Sequence, residues 1–301
     1  MTHDAAGDNP RYRKFSDWVR HEFGERLNKV TIDAGMTCPT RDGRLGTTGC
    51  AFCDPSGSGP GRGVGLTIEA QIDARRRPGR FIAYLQAFSN TYCSAEELDG
   101  ILARVVSARD VAAIAIGTRP DCVPQAVLDV LEKWAGRLPL WVEYGLQSAH
   151  LRTLQAINRG HTLADFIDAC LRTHERRLKV VAHVILGLPG EGSGEWIETA
   201  RVLTALRIDG VKIHMLHIVR GAPLAESYER GEIELLHRDQ YVAAVCDFLE
   251  HLDPTIVIHR LTGERRRPEL LAPDWVTEKS TVLKMIDEEL ERRGSRQGKF
   301  V

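Results

Sequence analysis

Seven short apolar runs recur along this chain at intervals that leave room for a helix in between. That rhythm constrains the fold more than any other feature. The runs are VTIDAG (30–35), RFIAYLQAF (80–88), VAAIAIGT (111–118), LPLWVEYGL (138–146), KVVAHVILGL (179–188), VKIHMLHIV (211–219) and TIVIHRL (255–261). Amphipathic stretches such as SAEELDGILARVVSA (94–108), VPQAVLDVLEKWAG (123–136) and SGEWIETARVLTALR (193–207) lie between them. Strands about 30 residues apart with a helix in each gap read as right-handed βαβ units on a parallel sheet. Six units before residue 220 fall short of the eight of a closed barrel. The expected class is therefore α/β, as a partial barrel or an open doubly wound sheet. A further helix (237–252), the last strand-like run and a charged helix (277–293) follow. No repeat or linker interrupts the chain, so one domain with terminal helices is expected.

Forty basic residues against forty-one acidic ones leave a formal charge of −1. This excludes nucleic-acid binding by bulk positive charge, though not by a local basic face. No apolar run approaches the ~18 residues of a membrane span. The polar N-terminus has no apolar signal region. A cytoplasmic location without membrane association and unpaired cysteines are the expectation.

The segment from Gly35 to Gly65 breaks the rhythm: it is crowded with glycine and has three prolines, which a helix does not tolerate. A long irregular loop in a compact domain is usually functional. This one follows the C-terminal end of the first strand, the edge where such folds build active sites. It carries Cys38, Cys50 and Cys53 in the pattern C-x11-C-x2-C. Three thiols so close together suggest a metal site. The spacing alone leaves open a structural zinc with a fourth ligand from elsewhere, an iron–sulfur cluster, or chance. A cluster held by three thiolates leaves one iron without a protein ligand.

Side-chain parity adds an independent argument, because alternate strand residues share a face. Asp33, Tyr84, Gln86, Glu143, Gln147, His183, Lys212 and His214 alternate with apolar neighbours. Together they predict a polar barrel interior around a sizeable polar ligand, where a closed barrel would pack Val, Ile and Leu. Tyr84, Lys212 and His214 are the candidates for substrate contact. Cys170 and Cys246, in helical segments, are expected to be buried packing residues. Cys93 and Cys122 follow the second and third strands at the active-site edge, with a catalytic thiol as the sharper alternative to packing.

The tags TCPTRDGRLGTTGCAFC, FSNTY, IGTRPDC, WVEYGLQS, INRGH, ILGLPGE and VKIHMLHIVRGAPL occur in that order over nearly the whole chain. They resemble the bacterial radical S-adenosylmethionine (SAM) proteins of the YhcC/YtqA (MnmL-like) group, relatives of the radical half of the Elongator catalytic subunit. The resemblance implies a partial (β/α)6 TIM-like radical SAM barrel (30–220), with a helical lead-in (1–29) and a C-terminal α/β extension (221–301) packed on it. It implies that Cys38, Cys50 and Cys53 hold a [4Fe-4S] cluster, and that SAM chelates the open iron and yields a 5′-deoxyadenosyl radical. Phe52 would then lie against the adenine, and Gln147 and Arg159 would contact the methionyl group. Glu143 would be a further cofactor contact, and Gly187 and Gly190 would shape the turn lining the adenosine. Two departures stand out: Gly117 occupies a position that is acidic in the Elongator relatives, and their acetyltransferase domain has no counterpart here, so their carboxymethylating activity does not carry over.

The same resemblance implies tRNA as substrate, with conversion of a carboxymethylaminomethyl to an aminomethyl group on the wobble uridine, and an electron donor such as flavodoxin or ferredoxin. Basic runs compatible with RNA are Arg75–Arg77 with Arg80, Arg176 and Arg177 with Lys179, Arg265–Arg267, and Arg292 and Arg293 with Arg296 and Lys299. The alternatives are a radical SAM enzyme acting on a small metabolite or lipid, and a non-redox zinc-binding barrel protein.

Overall fold

The computed structural model describes residues 10–57, 65–263, 265 and 267–301. In chain order the elements are helix α1 (Phe15–Phe23), strand β1 (Asn28–Ile32), α2 (Ile68–Arg75), β2 (Phe81–Leu85), α3 (Ala95–Ser107), β3 (Val111–Thr118), α4 (Gln125–Ala135) and β4 (Leu140–Gln147). Then come α5 (Leu151–Ala156), α6 (Leu163–Glu175), β5 (Lys179–Leu186), α7 (Ser193–Ala205), β6 (Gly210–Met215), β7 (Ile218–Val219), α8 (Leu224–Glu229), α9 (Arg238–Glu250), β8 (Val257–Arg260), β9 (Leu270–Ala272) and α10 (Lys279–Arg292).

Seven strands form one sheet in the order β1-β2-β3-β4-β5-β6-β8, and every neighbouring pair is parallel. Such a sequential, all-parallel order curls the sheet into part of a barrel. The strand-like runs of the sequence are therefore the strands of the structure, with one refinement. The run 211–219 divides into β6 and the short β7, which pairs antiparallel with β9. The strand of the C-terminal extension, β8, continues the main sheet beside β6.

The central strands β2 to β6 are buried on both faces. Outward residues such as Ile114, Ile116, Val142, Val180 and Val184 join the helices in the main apolar core. Inward residues Ile82, Tyr84, Ala113, Ala115, Trp141 and Val181 pack with Val19 of α1 in a second cluster. Helix α1 thus plugs the end of the barrel that holds the strand N-termini. Its Phe15 and Trp18 meet Trp141 edge-on at 6.0 and 6.2 Å, and Phe15 stacks on His259 at 4.1 Å. The plug leaves the interior open toward the strand C-termini, where the cysteine loop begins.

Candidate active site

The loop after β1 is held in shape by its own backbone. Arg41 N donates to Cys38 O at 2.8 Å, Gly49 N to Thr40 O at 2.8 Å, and Cys53 N to Cys50 O at 3.0 Å. The Arg41 side chain crosses the loop to the carbonyls of Cys53 and Asp54. A Cβ on Gly49 would lie within 3 Å of that guanidinium, so the crossing depends on glycine there. The loop is tied to the region after α5 by Ala51 N to Ile157 O at 2.9 Å and by Asn158 Nδ2 to Gly49 O at 2.8 Å.

Cys38, Cys50 and Cys53 all line one cavity, together with Phe52, Tyr84, Gln86, Gly117, Glu143, Gly145, Gln147, Arg159, His183, Lys212 and His214. The parity reading thus brings together all of its inward residues but one. Asp33 does not reach the cavity; it lies beyond the end of β1 and its carboxylate accepts from Gly35 N at 2.9 Å. Gly187 and Gly190 are not among the lining residues either. They take φ of +88° and +79° in the turn after β5, and a Cβ on Gly187 would meet Leu236 at 3.1 Å.

Cations surround the thiols. Arg159 donates through Nη1 to Cys50 Sγ at 3.3 Å and through Nη2 to Gly145 O at 2.7 Å. Arg119 is almost wholly buried. It is fixed by a two-point bond to Asp121 at 2.9 and 2.8 Å and by a third bond to the Arg159 carbonyl at 2.6 Å. Thr40 and Ser89 hydroxyls approach Cys38 Sγ at 3.2 and 3.5 Å. Burial raises the Cys38 thiol pKa, but those hydroxyls and the charge of Arg119 outweigh it, leaving it below its ordinary value. Burial and the neighbouring Cys50 push Cys53 up.

These donors fit an anionic, sulfur-ligated group. Among the described residues no three His, Cys, Asp or Glu side chains converge as the ligands of a single metal ion do. A four-iron cluster takes each thiolate on a different iron, so its ligands need not meet at one point. Hydrogen bonds to ligand sulfurs are among the features that tune such clusters, and Arg159 would supply one if Cys50 were a ligand.

Deeper in the cavity, Glu143 is fully buried and shared. It accepts from Trp141 Nε1 at 3.0 Å, meets His183 Nε2 at 2.8 Å and pairs with Lys212 Nζ. Burial alone would raise its pKa, but Lys212 and His183 hold it well below the carboxylate range. Burial and then Lys212 lower His183 to about 4, so its ring is neutral at pH 7. Lys212 Nζ stands 4.2 Å above the Tyr84 ring, whose phenol is pushed well up by burial and then by Glu143.

Several lining residues escaped the sequence reading, Thr40, Arg41, Ser89, Arg119, His217 and Arg260, and Arg265 was read only as part of a basic run. Ser89 and Arg119 sit in tags that carried the family resemblance, and only their company marked them. Arg260 was hidden by a register shift, since Lys212 pairs with Arg260 where regular alternation after Val211–Ile258 would pair it with His259.

The remaining cysteines are elsewhere. Cys170 and Cys246 are fully buried in α6 and α9. Cys93 and Cys122 line a separate cleft with Arg44, Asp121, Asp165 and Arg172. Burial, followed by nearby carboxylates, raises their pKa values to about 11 and about 12, so both are protonated thiols at neutral pH.

The basic runs are partly neutralised. Arg76 pairs with Asp73, Arg80 with Glu25, Arg176 with Asp129, Arg265 with Asp54, Arg267 with Asp274, and Arg292 and Arg293 with Glu289; Arg266 lies outside the described residues. The first two runs immediately precede or begin β2 and β5. In a parallel sheet that puts them at the edge opposite the cysteine loop.

No helix among the described residues is long and apolar enough to cross a membrane. The family model for the radical SAM superfamily matches residues 43–203, and that for the radical SAM C-terminal domain matches 208–292. The chain is 39% identical to the uncharacterized protein YtqA of Bacillus subtilis, over 96% of this chain and 92% of that protein. It is 29% identical to a tRNA uridine(34) acetyltransferase of Methanocaldococcus infernus, over 61% of this chain but only 34% of that protein. Among solved structures, the archaeal Elp3 of Methanocaldococcus infernus superposes with a TM-score of 0.64 at 19% identity, covering 90% of this chain and 64% of that one. That likeness is one of fold.

Proposed function

The chain belongs to the radical SAM superfamily, and from that premise we propose that it is an enzyme acting on a tRNA wobble uridine. It cleaves a carboxymethylaminomethyl group with water, so that the amine remains and the carboxymethyl part leaves as glyoxylate. This two-electron oxidation is balanced by the two-electron reductive cleavage of SAM. Cys38, Cys50 and Cys53 hold a [4Fe-4S] cluster, and SAM binds beside it. The observation that carries this reading is the set of three thiols on the wall of one polar cavity, ringed by Arg41, Arg119 and Arg159. When bound, the cluster and SAM would supply the hydrogen-abstracting radical chemistry, while the protein supplies orientation and exclusion of bulk water.

Each residue then has a role. Arg159 and Gln147 bind the methionyl end, where a planar guanidinium fork matches a carboxylate. Phe52 covers the adenine. Glu143 contacts the cofactor and holds Lys212 and His183 in place, and Tyr84, Lys212 and His214 face the substrate. Residues 30–220 carry this machinery, the lead-in closes it from below, and the extension from 221 adds β8. A one-electron donor such as flavodoxin or ferredoxin feeds the cluster. The tRNA part rests on kinship with a tRNA uridine(34) acetyltransferase, of which the match spans a minority.

Iron and sulfide content after anaerobic reconstitution, with 5′-deoxyadenosine release on adding SAM and dithionite, tests the reaction class. About four irons and four sulfides per chain, with nucleoside formed by wild type and not by Cys53→Ala, is the expected result. Stoichiometric zinc without deoxyadenosine overturns it. Accumulation of carboxymethylaminomethyl-uridine in tRNA from a deletion strain tests the substrate, and an unchanged nucleoside profile refutes it. The ion pairing of the basic runs favours one second reading, a small-metabolite substrate; binding insensitive to salt would select it.

A further inference from the structure

Six cationic side chains line the cavity, Arg41, Arg119, Arg159, Lys212, Arg260 and Arg265, against the single carboxylate of Glu143. Five have partners. Arg41 and Arg159 donate to carbonyls, Arg119 pairs with Asp121, Arg265 with Asp54 and Lys212 with Glu143. Arg260 has no hydrogen-bond or ion-pair partner among the described residues. Beside it the sheet places two more nitrogen groups. Lys212 is its direct register partner on β6, and His214 follows two residues later on the same face. The Nε2 of His214 is shielded from solvent and makes no hydrogen bond.

A half-buried guanidinium without a counter-charge is costly, and so is a shielded ring nitrogen without a partner. Glu143 does not supply the missing acceptor, because it is already shared among Lys212, His183 and Trp141. The uncompensated positive charge lies on β6 and β8, on the wall of the cavity that the cysteine loop also lines. Burial and the charge of Arg260 hold His214 well below its ordinary pKa, as expected beside a cation lacking its anion.

We propose that Arg260, Lys212 and His214 form a subsite for a carboxylate of the substrate, separate from the groups that bind SAM. Arg260 is its principal ligand, donating two N–H groups, and His214 supplies the third donor from its Nε2. This deepens the reading given above and rests on it for the identity of the substrate: a carboxymethylamino group ends in such a carboxylate. It would discriminate that group from an aminomethyl group, which is cationic and would be repelled.

The test uses reconstituted, SAM-saturated enzyme as wild type, Arg260→Gln and Arg260→Lys. Turnover of tRNA carrying carboxymethylaminomethyl-uridine is measured as KM against kcat, and binding of ¹³C-acetate, the probe anion, is followed by line broadening without tRNA. The expected result is a KM raised at least tenfold in Arg260→Gln and partly restored in Arg260→Lys, with acetate broadening reduced in the same order. Acetate broadening equal in wild type and Arg260→Gln overturns the subsite, whatever the tRNA shows. A loss of SAM affinity in parallel with the KM effect also overturns it, because the cation would then serve the carboxylate of SAM. If acetate binding depends on Arg260 but wild type does not turn over the tRNA, the subsite stands and the tRNA reading falls.

Discussion

At the scale of single residues, Gly145 carries a tight constraint. A Cβ there would lie 2.4 Å from Arg159 Nη2 and 2.7 Å from Gln147 Nε2, so both polar side chains occupy space that only glycine leaves open. Gly145→Ala is expected to destabilise the fold by about 1–3 kcal/mol through overpacking. By displacing Arg159 from Cys50, it should weaken SAM binding at least tenfold; calorimetric titration of the reconstituted variant checks this, and native affinity would refute it. His183 makes a second prediction. Burial, and then Lys212, take its folded pKa to about 4 from 6.5, so the folded protein holds it neutral. Between those pH values the unfolded chain binds more protons, and stability falls as pH falls. The loss attributable to this ring reaches about 3 kcal/mol by pH 4. Glu143, whose pKa is depressed, adds loss in the same direction once pH falls below the ordinary carboxylate value of 4.5. Urea midpoints at pH 7, 5 and 4 should drop less steeply for His183→Gln than for wild type; parallel curves would contradict the assignment.

Among the elements, α6 shows how helix capping serves the site. Thr162 and Asp165 form a reciprocal cap, Thr162 N to Asp165 Oδ2 at 2.7 Å and Asp165 N to Thr162 Oγ1 at 3.2 Å. The cap begins three residues after Arg159, and His161 between them bonds Arg159 Nε at 2.9 Å. The cap therefore fixes the start of the helix and the direction from which the guanidinium reaches Cys50. Thr162→Ala should cost about 1 kcal/mol, read as a shift in urea midpoint, and an unchanged midpoint would show the cap to be idle. The role of α1 was not legible in the sequence, because nothing local to an amphipathic N-terminal helix says that it will stopper a barrel.

For the whole molecule, parallel strands separate two edges, and this sorts the basic residues. Substrate reaching the cysteine loop meets the edge of the strand C-termini, where Arg44, Arg220 and Arg267 are exposed. Arg76, Arg77 and Arg80 lie at the other edge, ahead of β2. If tRNA is bound, alanine at Arg44, Arg220 and Arg267 together should weaken binding at least tenfold and flatten its dependence on salt. The same change at Arg76, Arg77 and Arg80 should leave both nearly unaltered. Filter binding across a salt series measures this, and equal effects from the two sets would remove the edge argument.

The sequence by itself determined the α/β class, the seven strands and the inward faces of β2, β4, β5 and β6. These follow from local periodicity, which depends only on how a strand alternates its side chains. It also isolated the cysteine loop, since dense glycine and proline forbid regular structure there. Tertiary structure alone decided the rest. The register shift beside β8 turned Arg260 into the cavity, and the close approach of Arg159 to Gly145 needed two segments 14 residues apart to meet. Ion pairs formed in the folded chain neutralised about half of the side chains in runs that looked basic in one dimension. Such features depend on distances between residues remote in sequence, and no local pattern of residue types encodes a distance.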